Sequence, residues 1–263
     1  MKESVKRIRT IVKNVQYLSD IHLEYRKAFV DVPILSKNLV LAGDIGNPFK
    51  DNYKEFLIKC SNEYENTFVI PGNHEYWGSN MDKTDDKMNE MIRKFNNVHS
   101  LKNAIIETEN ITFVGCTLWS RILKEPVHRK GDEHNIKINN KNVNWHDLNR
   151  VHSYDLHWLT NMLQNHTIRP IVVVTHHIPT YKLLHPKYNV DQYKDNLDRY
   201  YTDLEHLIKP PIVAWICGHS HCTMNMELNG VHLYLNAIGY PNEKEATYLR
   251  DKAKVINFKF LSA

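Results

Sequence analysis

The sequence contains no long apolar run, few cysteines and no dense block of one charge. No apolar stretch approaches the ~18 residues of a membrane span, and the basic N-terminus is not followed by the apolar core of a signal peptide. The four cysteines have neither the C-x-x-C spacing of a zinc ribbon nor the density of a disulfide scaffold. These absences argue against export or membrane anchoring, and we expect a reducing cytoplasm as the compartment.

Charge is nearly balanced, because 34 Lys and Arg residues against 30 Asp and Glu residues leave a formal net charge of +4. The basic residues form no block denser than the segment 2–13, so an extended nucleic-acid-binding face is not indicated, although it is not excluded. At 263 residues with 42% apolar content, the chain can bury a full core. We expect one α/β domain with insertions over residues 1–263, with two small domains as the alternative, and the pattern leaves the oligomeric state open.

Apolar, β-branched runs alternate with segments of helical periodicity, which is typical of a layered α/β fold. The predicted strands are Ile11–Leu18, Leu39–Ala42, Thr67–Ile70, Ile111–Gly115, Ile171–Thr175, Ile212–Cys217, Val231–Leu235 and Val255–Phe260. The predicted helices are Asn52–Glu63, Met81–Phe95, Tyr154–Gln164 and Asp195–Ile208. The pair Asn229-Gly230 predicts an antiparallel hairpin.

Two polar stretches interrupt this pattern, at residues 121–150 and 181–201. Long insertions after strands that deliver catalytic groups are typical of lids that recognise substrate, and the alternative is that both are variable surface loops. Within or beside these stretches, Arg121, His177 and Tyr181 are candidate substrate-binding residues.

Metal-ligand residue types follow the first two strands. Asp20 and His22 form a D-x-H pair, and residues two apart on an extended strand point to the same side, so both could bind one cation. Asp44 follows a fully apolar run and Gly43. A charged carboxylate is almost never buried in an apolar core without a partner. Its two oxygens could bridge two metals, although a turn or helix-cap Asp is the alternative.

The third segment, Gly72-Asn73-His74-Glu75, is the most specific. The Asn73 carbonyl oxygen can bind a hard or borderline cation. The His74 imidazole beside it can donate a hydrogen bond to a phosphoryl oxygen or protonate a leaving alkoxide.

Imidazoles follow two later strands. Of the adjacent pair His176-His177 only one is expected to face the metals, and His176 is our choice. His219 and His221 in Gly218-His219-Ser220-His221 could give one nitrogen to each of two cations.

The ordered set D-x-H, G-D, G-N-H-E, H and G-H-x-H resembles the calcineurin-like metallophosphoesterase superfamily. The resemblance implies a four-layer fold, in which two mixed β-sheets pack face to face, helices lie outside and a dinuclear metal site lies at the strand ends. It implies two ligand sets: Asp20, His22, Asp44 and His221 for one metal, and Asp44, Asn73, His176 and His219 for the other. It also implies that His74 is the catalytic histidine.

The implied activity is hydrolysis of a phosphoester by direct attack of metal-bound hydroxide. The expected enzyme is a phosphodiesterase or phosphatase acting on a small molecule such as a nucleotide. The mixed nitrogen and oxygen ligands suit Mn, Fe, Zn, Co or Ni, and the resemblance favours Mn with Fe or a second Mn. A nuclease and a catalytically silent scaffold of the same fold are the alternatives. Behind Asp44 the chain lacks the acid-arginine pair of the protein serine/threonine phosphatases, which makes a clamp on a phosphomonoester dianion less expected.

Overall fold

Two large β-sheets form the centre of the protein, in a computed structural model that describes residues 5–27, 31–125, 131–165, 169–188, 196–243 and 253–258. The strands are β1 (Val5–Arg7), β2 (Asn14–Leu18), β3 (Asn38–Ala42), β4 (Asn66–Ile70), β5 (Ser79–Asn80), β6 (Val98–Ser100), β7 (Ala104–Glu107), β8 (Thr112–Cys116), β9 (Ile136–Ile138), β10 (Lys141–Asn142), β11 (Ile171–Thr175), β12 (Ile212–Cys217), β13 (Thr223–Leu228), β14 (Val231–Asn236) and β15 (Val255–Asn257). The α-helices are α1 (Asp51–Glu63), α2 (Met81–Ile92), α3 (Asp132–Asn135) and α4 (Trp145–Asn165).

One sheet has seven strands in the order β1-β7-β8-β11-β12-β14-β13, and the other has five in the order β15-β2-β3-β4-β6. Strands β2, β3, β4 and β6 run parallel, as do β8, β11, β12 and β14. The carboxyl ends of parallel neighbours meet at one edge of their sheet. A small third sheet, β10-β9-β5, includes two strands from the insertion at 121–150.

The two large sheets pack face to face through a buried apolar cluster. Phe68 of β4 stacks on Phe113 of β8 with ring centroids 4.3 Å apart. On its outer face the five-stranded sheet packs against α1 and α2, and the seven-stranded sheet packs against α4. The predicted four-layer architecture of two mixed sheets between helices is therefore confirmed.

Most predicted strands agree with the structure to within one or two residues. The first begins at Asn14 rather than Ile11, because the side chain of Asn110 bonds both backbone groups of Val12 and holds this segment outside the sheet. The hairpin at Asn229-Gly230 is confirmed, since β13 and β14 pair antiparallel around it and both turn residues have positive φ. Residues 259 and 260 of the last predicted strand lie outside the described residues.

The helix predicted for Asp195–Ile208 is wrong over its described part, 196–208, where the helical turns are 3-10 turns and Tyr201 forms an isolated β-bridge with Ile178. The backbone N–H of Thr202 donates to the carbonyl of Ile178, and that of Leu204 donates to Pro179, so the segment pairs with the chain after β11 instead of with itself. Asp195 lies outside the described residues.

Helix α4 begins nine residues before the predicted Tyr154. The Asn144 side chain accepts from the backbone N–H of His146 and Asp147, while the Asp147 carboxylate accepts from the N–H of Asn144. This reciprocal capping starts the helix inside a stretch without clear periodicity.

Residues 126–130 and 189–195 of the two predicted insertions lie outside the described residues. None of the described helices combines the length and apolar character needed to cross a membrane.

Replacing Phe68 by Ala should lower the free energy of unfolding by about 3–5 kcal/mol, because it opens a cavity between the two sheets. Ile58→Ala, at a 40% exposed position on α1, is the control and should change it by less than about 0.5 kcal/mol. Urea unfolding of the metal-free proteins measures both. Equal losses in the two variants would contradict the inter-sheet core as the main source of stability.

Candidate metal centre

Five of the predicted metal ligands lie in tight turns just beyond strand ends. Asp20, His22, Asp44, His219 and His221 have φ between 50° and 65°, the left-handed region. Strands β2 and β12 end at Leu18 and Cys217, so the expectation that alternation along an extended strand aligns each pair is wrong. The turns align them instead. The backbone N–H of Asp20 donates to the backbone carbonyl of Gly43, and the backbone N–H of His22 donates to the backbone carbonyl of Asp44.

Asp20, His22 and His221 form the first cluster of potential ligand atoms, all within 4.8 Å of one another. Nε2 of His22 lies 3.0 Å from Nε2 of His221, and the latter lies 3.5 Å from Oδ1 of Asp20. Nδ1 of His22 lies 3.0 Å from Oε1 of Glu24, and Nδ1 of His221 lies 2.6 Å from Oε2 of Glu243.

The two facing nitrogens of this cluster need a positive charge between them. A carboxylate oxygen only accepts, so both Nδ1 atoms carry hydrogen and donate to Glu24 and Glu243. In neutral rings the two Nε2 lone pairs then face each other at 3.0 Å, which is repulsive unless a cation or a proton binds them. Two imidazoles and a carboxylate around one point suit a transition metal.

Asp44, His176 and His219 form a second cluster of the same kind. Oδ2 of Asp44 lies 3.3 Å from Nε2 of His176 and 3.8 Å from Nε2 of His22 in the first cluster. Oδ1 of Asn73 lies 3.1 Å from Nε2 of His176. Asp44 therefore lies between the two clusters, and its side chain is almost completely buried.

Charges within the site shift the pKa values of these groups. Burial alone would raise the pKa of Asp44, but His176, His74 and His22 hold it well below its usual range. Burial and the neighbouring His176 hold the pKa of His219 well below its usual value, so this ring is neutral and its lone pair is available.

Glycines let the backbone pass close to the ligand atoms. A Cβ on Gly43 would lie 2.4 Å from Nδ1 of His176, and one on Gly72 would lie 2.2 Å from Oδ1 of Asp44. Any side chain at either position would displace a group of the second cluster.

The Glu75 carboxylate joins the loops after β3 and β4. It accepts hydrogen bonds from the backbone N–H groups of Asp44 (3.0 Å), Ile45 (2.7 Å), Gly46 (3.4 Å) and Gly72 (2.7 Å). Burial, with the nearby Asp44 charge, raises the pKa of Glu75 to about 8. Through these bonds Glu75 holds the two ligand-bearing loops together.

His74 lies beside both clusters, and its backbone N–H donates to Oδ1 of Asp44 at 2.8 Å. The ring stacks on Trp77 with centroids 3.7 Å apart. Its Nδ1 lies 3.2 Å from Oε1 of Glu24, and its Nε2 lies 3.1 Å from the hydroxyl of Tyr240. With His22 and Glu24 it forms a third group of close ligand atoms. Burial would lower the pKa of His74, but the Asp44 and Glu24 carboxylates outweigh burial and raise it.

The insertion at 121–150 reaches this site through Asp132. The amide nitrogen of Asn73 donates to Oδ1 of Asp132 at 2.8 Å, and the Trp77 indole donates to the same oxygen. This bond turns the Asn73 carbonyl oxygen toward His176.

The three candidate substrate-binding residues lie in different surroundings. His177 is buried, with its ring 4.0 Å from that of His219 and its Nδ1 unpartnered. Arg121 is exposed, and its backbone N–H donates to Thr202. Tyr181 is 56% exposed, and Lys182 lies over its ring. Of these three candidates, only His177 contacts a residue of either metal-ligand cluster, as far as the described residues show.

Four polar residues at the site were not among the sequence candidates: Glu24, Asp132, Tyr240 and Glu243. Glu24 had a usable signal, because it extends D-x-H to D-x-H-x-E. Asp132 and Glu243 lie several residues beyond the nearest strand end, so their approach depends on how the loops fold back.

The profile of the calcineurin-like phosphoesterase family matches residues 15–223. An uncharacterised protein of Acanthamoeba polyphaga mimivirus is 32% identical over 259 residues, covering 88% of this chain and 92% of its own length. The crystal structure of a phosphopantetheinyl hydrolase from Mycobacterium tuberculosis superposes with a TM-score of 0.65 at 17% identity, over 89% of this chain and 92% of that chain. That similarity shows a shared fold. The chain belongs to the calcineurin-like phosphoesterase family and is a metal-dependent phosphoesterase.

Proposed function

We propose that the protein hydrolyses a phosphodiester bond of a small molecule such as a nucleotide, with two metal ions and without a covalent enzyme intermediate. The observation that carries the proposal is the position of Asp44 between two imidazole clusters, 3.8 Å from His22 and 3.3 Å from His176. Its Oδ2 faces both clusters, so this carboxylate is placed to bridge two cations.

The first ion would be held by Asp20, His22, Asp44 and His221, and the second by Asp44, Asn73, His176 and His219. These donors fit such ions, because they combine imidazole nitrogens with carboxylate and amide oxygens, and two of the nitrogens face each other at 3.0 Å. The outward nitrogens of His22 and His221 donate to carboxylates, and that of His176 donates to a backbone carbonyl. Metal-ligating imidazoles are usually oriented in this way. We propose Mn with Fe or a second Mn, and Zn, Co and Ni suit the same donors.

When bound, the two cations supply an activated water and neutralise charge on the phosphoryl oxygens. The water oxygen bonds to phosphorus as the bond from phosphorus to the leaving oxygen breaks. His74, protonated at Nε2, would give its proton to the leaving oxygen, while the attacking water would lose one proton to solvent. Solvent would then reprotonate His74, and the products would be an alcohol and a phosphate monoester. The stack on Trp77 and the contact with Glu24 orient the His74 ring for this transfer.

Three of the four cysteines are unsuited to act as an alternative nucleophile. Burial raises the pKa of the Cys116 and Cys217 thiols well above the usual value, so neither forms a thiolate at neutral pH. Cys60 is buried too, and its pKa is likewise raised.

A diester suits the charges around the site better than a monoester does. The Arg26 guanidinium donates to the carbonyls of Ile21 and Gly239, and Arg199 donates to the Glu133 carboxylate. Neither arginine is left to clamp the second negative charge of a phosphomonoester dianion. A diester carries a single negative charge and has less need of such a clamp.

Asp44→Asn should lower kcat/KM for bis(p-nitrophenyl) phosphate by more than about 100-fold, since even outer partners of metal ligands cost 10- to 100-fold. It should also lower the number of Mn ions retained per chain, measured by atomic absorption after gel filtration. Asp82→Asn removes an exposed carboxylate from α2 and should change neither value. Full activity and metal content in Asp44→Asn would contradict the bridging role.

His74→Ala should keep both metal ions but lower kcat for methyl phenyl phosphate by about 100-fold, the usual contribution of general acid catalysis. Methyl p-nitrophenyl phosphate should lose less, because p-nitrophenolate leaves without a proton. Equal losses on the two substrates would contradict protonation of the leaving group by His74.

Wild-type protein loaded with Mn should hydrolyse bis(p-nitrophenyl) phosphate with a higher kcat/KM than p-nitrophenyl phosphate. Steady-state rates at one pH and one metal concentration provide the comparison. A preference for the monoester would overturn the diester assignment while leaving the metal centre in place.

A further inference from the structure

Glu24 contacts two histidines that have different tasks in the proposed function. It lies in the 3-10 turn Leu23–Tyr25, directly after the first metal-ligand pair. Its Oε1 lies 3.0 Å from Nδ1 of His22 and 3.2 Å from Nδ1 of His74. The side chain is only 9% exposed, so water does not compete strongly for this oxygen.

One carboxylate oxygen thereby orients both rings. Since a carboxylate only accepts hydrogen bonds, each Nδ1 carries hydrogen and donates to Glu24. Each ring then turns its Nε2 inward. Nε2 of His22 lies beside His221 in the first cluster, and Nε2 of His74 lies beside the Tyr240 hydroxyl. The ring centroids of His22 and His74 are 4.5 Å apart in an edge-to-face arrangement.

We infer that Glu24 is a positioning residue that ties the orientation of the leaving-group histidine, His74, to that of a metal ligand, His22. The inference rests on the proposed function. An ion bound by His22 would fix that ring, its Nδ1–H would fix the Glu24 carboxylate, and the carboxylate would hold His74 at a set distance from the ion. Proton donation would thus be aligned only when the first metal position is formed.

The chain contains a matched control in Glu243. This carboxylate accepts from Nδ1 of His221 at 2.6 Å, so it supports another ligand of the same cluster in the same way. Its other partners are the Lys187 ammonium (2.9 Å) and the backbone N–H of Tyr240 (2.8 Å). Among the described hydrogen bonds, only those of Glu24 join the ring of a ligand histidine to the His74 ring.

Glu24→Gln and Glu243→Gln should be compared on methyl phenyl phosphate and methyl p-nitrophenyl phosphate, at Mn concentrations that saturate each variant. Glu24→Gln should lower kcat about 10-fold more on the phenyl ester than on the p-nitrophenyl ester, because only the phenyl ester needs the aligned proton donor. Glu243→Gln should weaken Mn retention and lower both rates by the same factor. A residue that only supported the fold would give no such difference between esters.

A double-mutant cycle tests the connection itself. In a His74→Ala background, Glu24→Gln should no longer change the ratio of the two rates, because both changes act through one proton donor. Glu24→Asp is a second variant, with the same charge but a shorter reach, and it should show the same penalty on the phenyl ester as Glu24→Gln.

The outcomes separate this inference from the proposed function. If the wild-type protein hydrolyses neither ester with any metal, the proposed function fails. If the wild-type protein is active and both Glu24 variants keep its rate ratio, or lower both rates equally as Glu243→Gln does, the positioning role is overturned.

Discussion

A buried carboxylate between two groups of imidazoles is the interaction on which the rest of the site depends. Asp44 is 1% exposed, and a lone charge at such depth would cost far more free energy than a domain can spare. Its position is possible because His22 and His176 approach it from the two clusters and the backbone N–H of His74 donates a hydrogen bond to it. The compensation comes from several strands, so the site forms only when both sheets are in register.

The surrounding structure keeps those histidines in place against their mutual repulsion. Glu24, Glu243 and the carbonyl of Ala42 each accept from the outward nitrogen of one ring, and so aim the other nitrogen inward. The result is a concentration of carboxylates and lone pairs at the centre. Such a site attracts metal ions, and its arginines are already bonded to carbonyls and carboxylates.

The strands and the ligand-bearing turns could be predicted because their causes are local. The run 171–174 is apolar at every position, and such a run is typical of a strand that is buried on both faces. The helix expected over Asp195–Ile208 failed for the opposite reason. Its residues have helical spacing, but the backbone of Thr202 and Leu204 bonds to the chain after β11, a partner that no local pattern reveals.

The sequence by itself determined the family, the layered α/β fold and the candidate residues around the centre, because strand periodicity and the order of ligand-bearing turns are properties of short segments. Only the tertiary structure decided how those residues group and what holds them. Asp20 and His221 meet across about 200 positions, and the left-handed turns that align them are set by hydrogen bonds between loops. Tyr240 and Glu243 reach the site from the loop after β14, and Asp132 reaches it from the insertion after β8, each several residues beyond the strand end. The physical reason is that an ionic or hydrogen-bonded contact depends on distance in space, and spacing along the chain predicts that distance only within a helix, a strand or a turn.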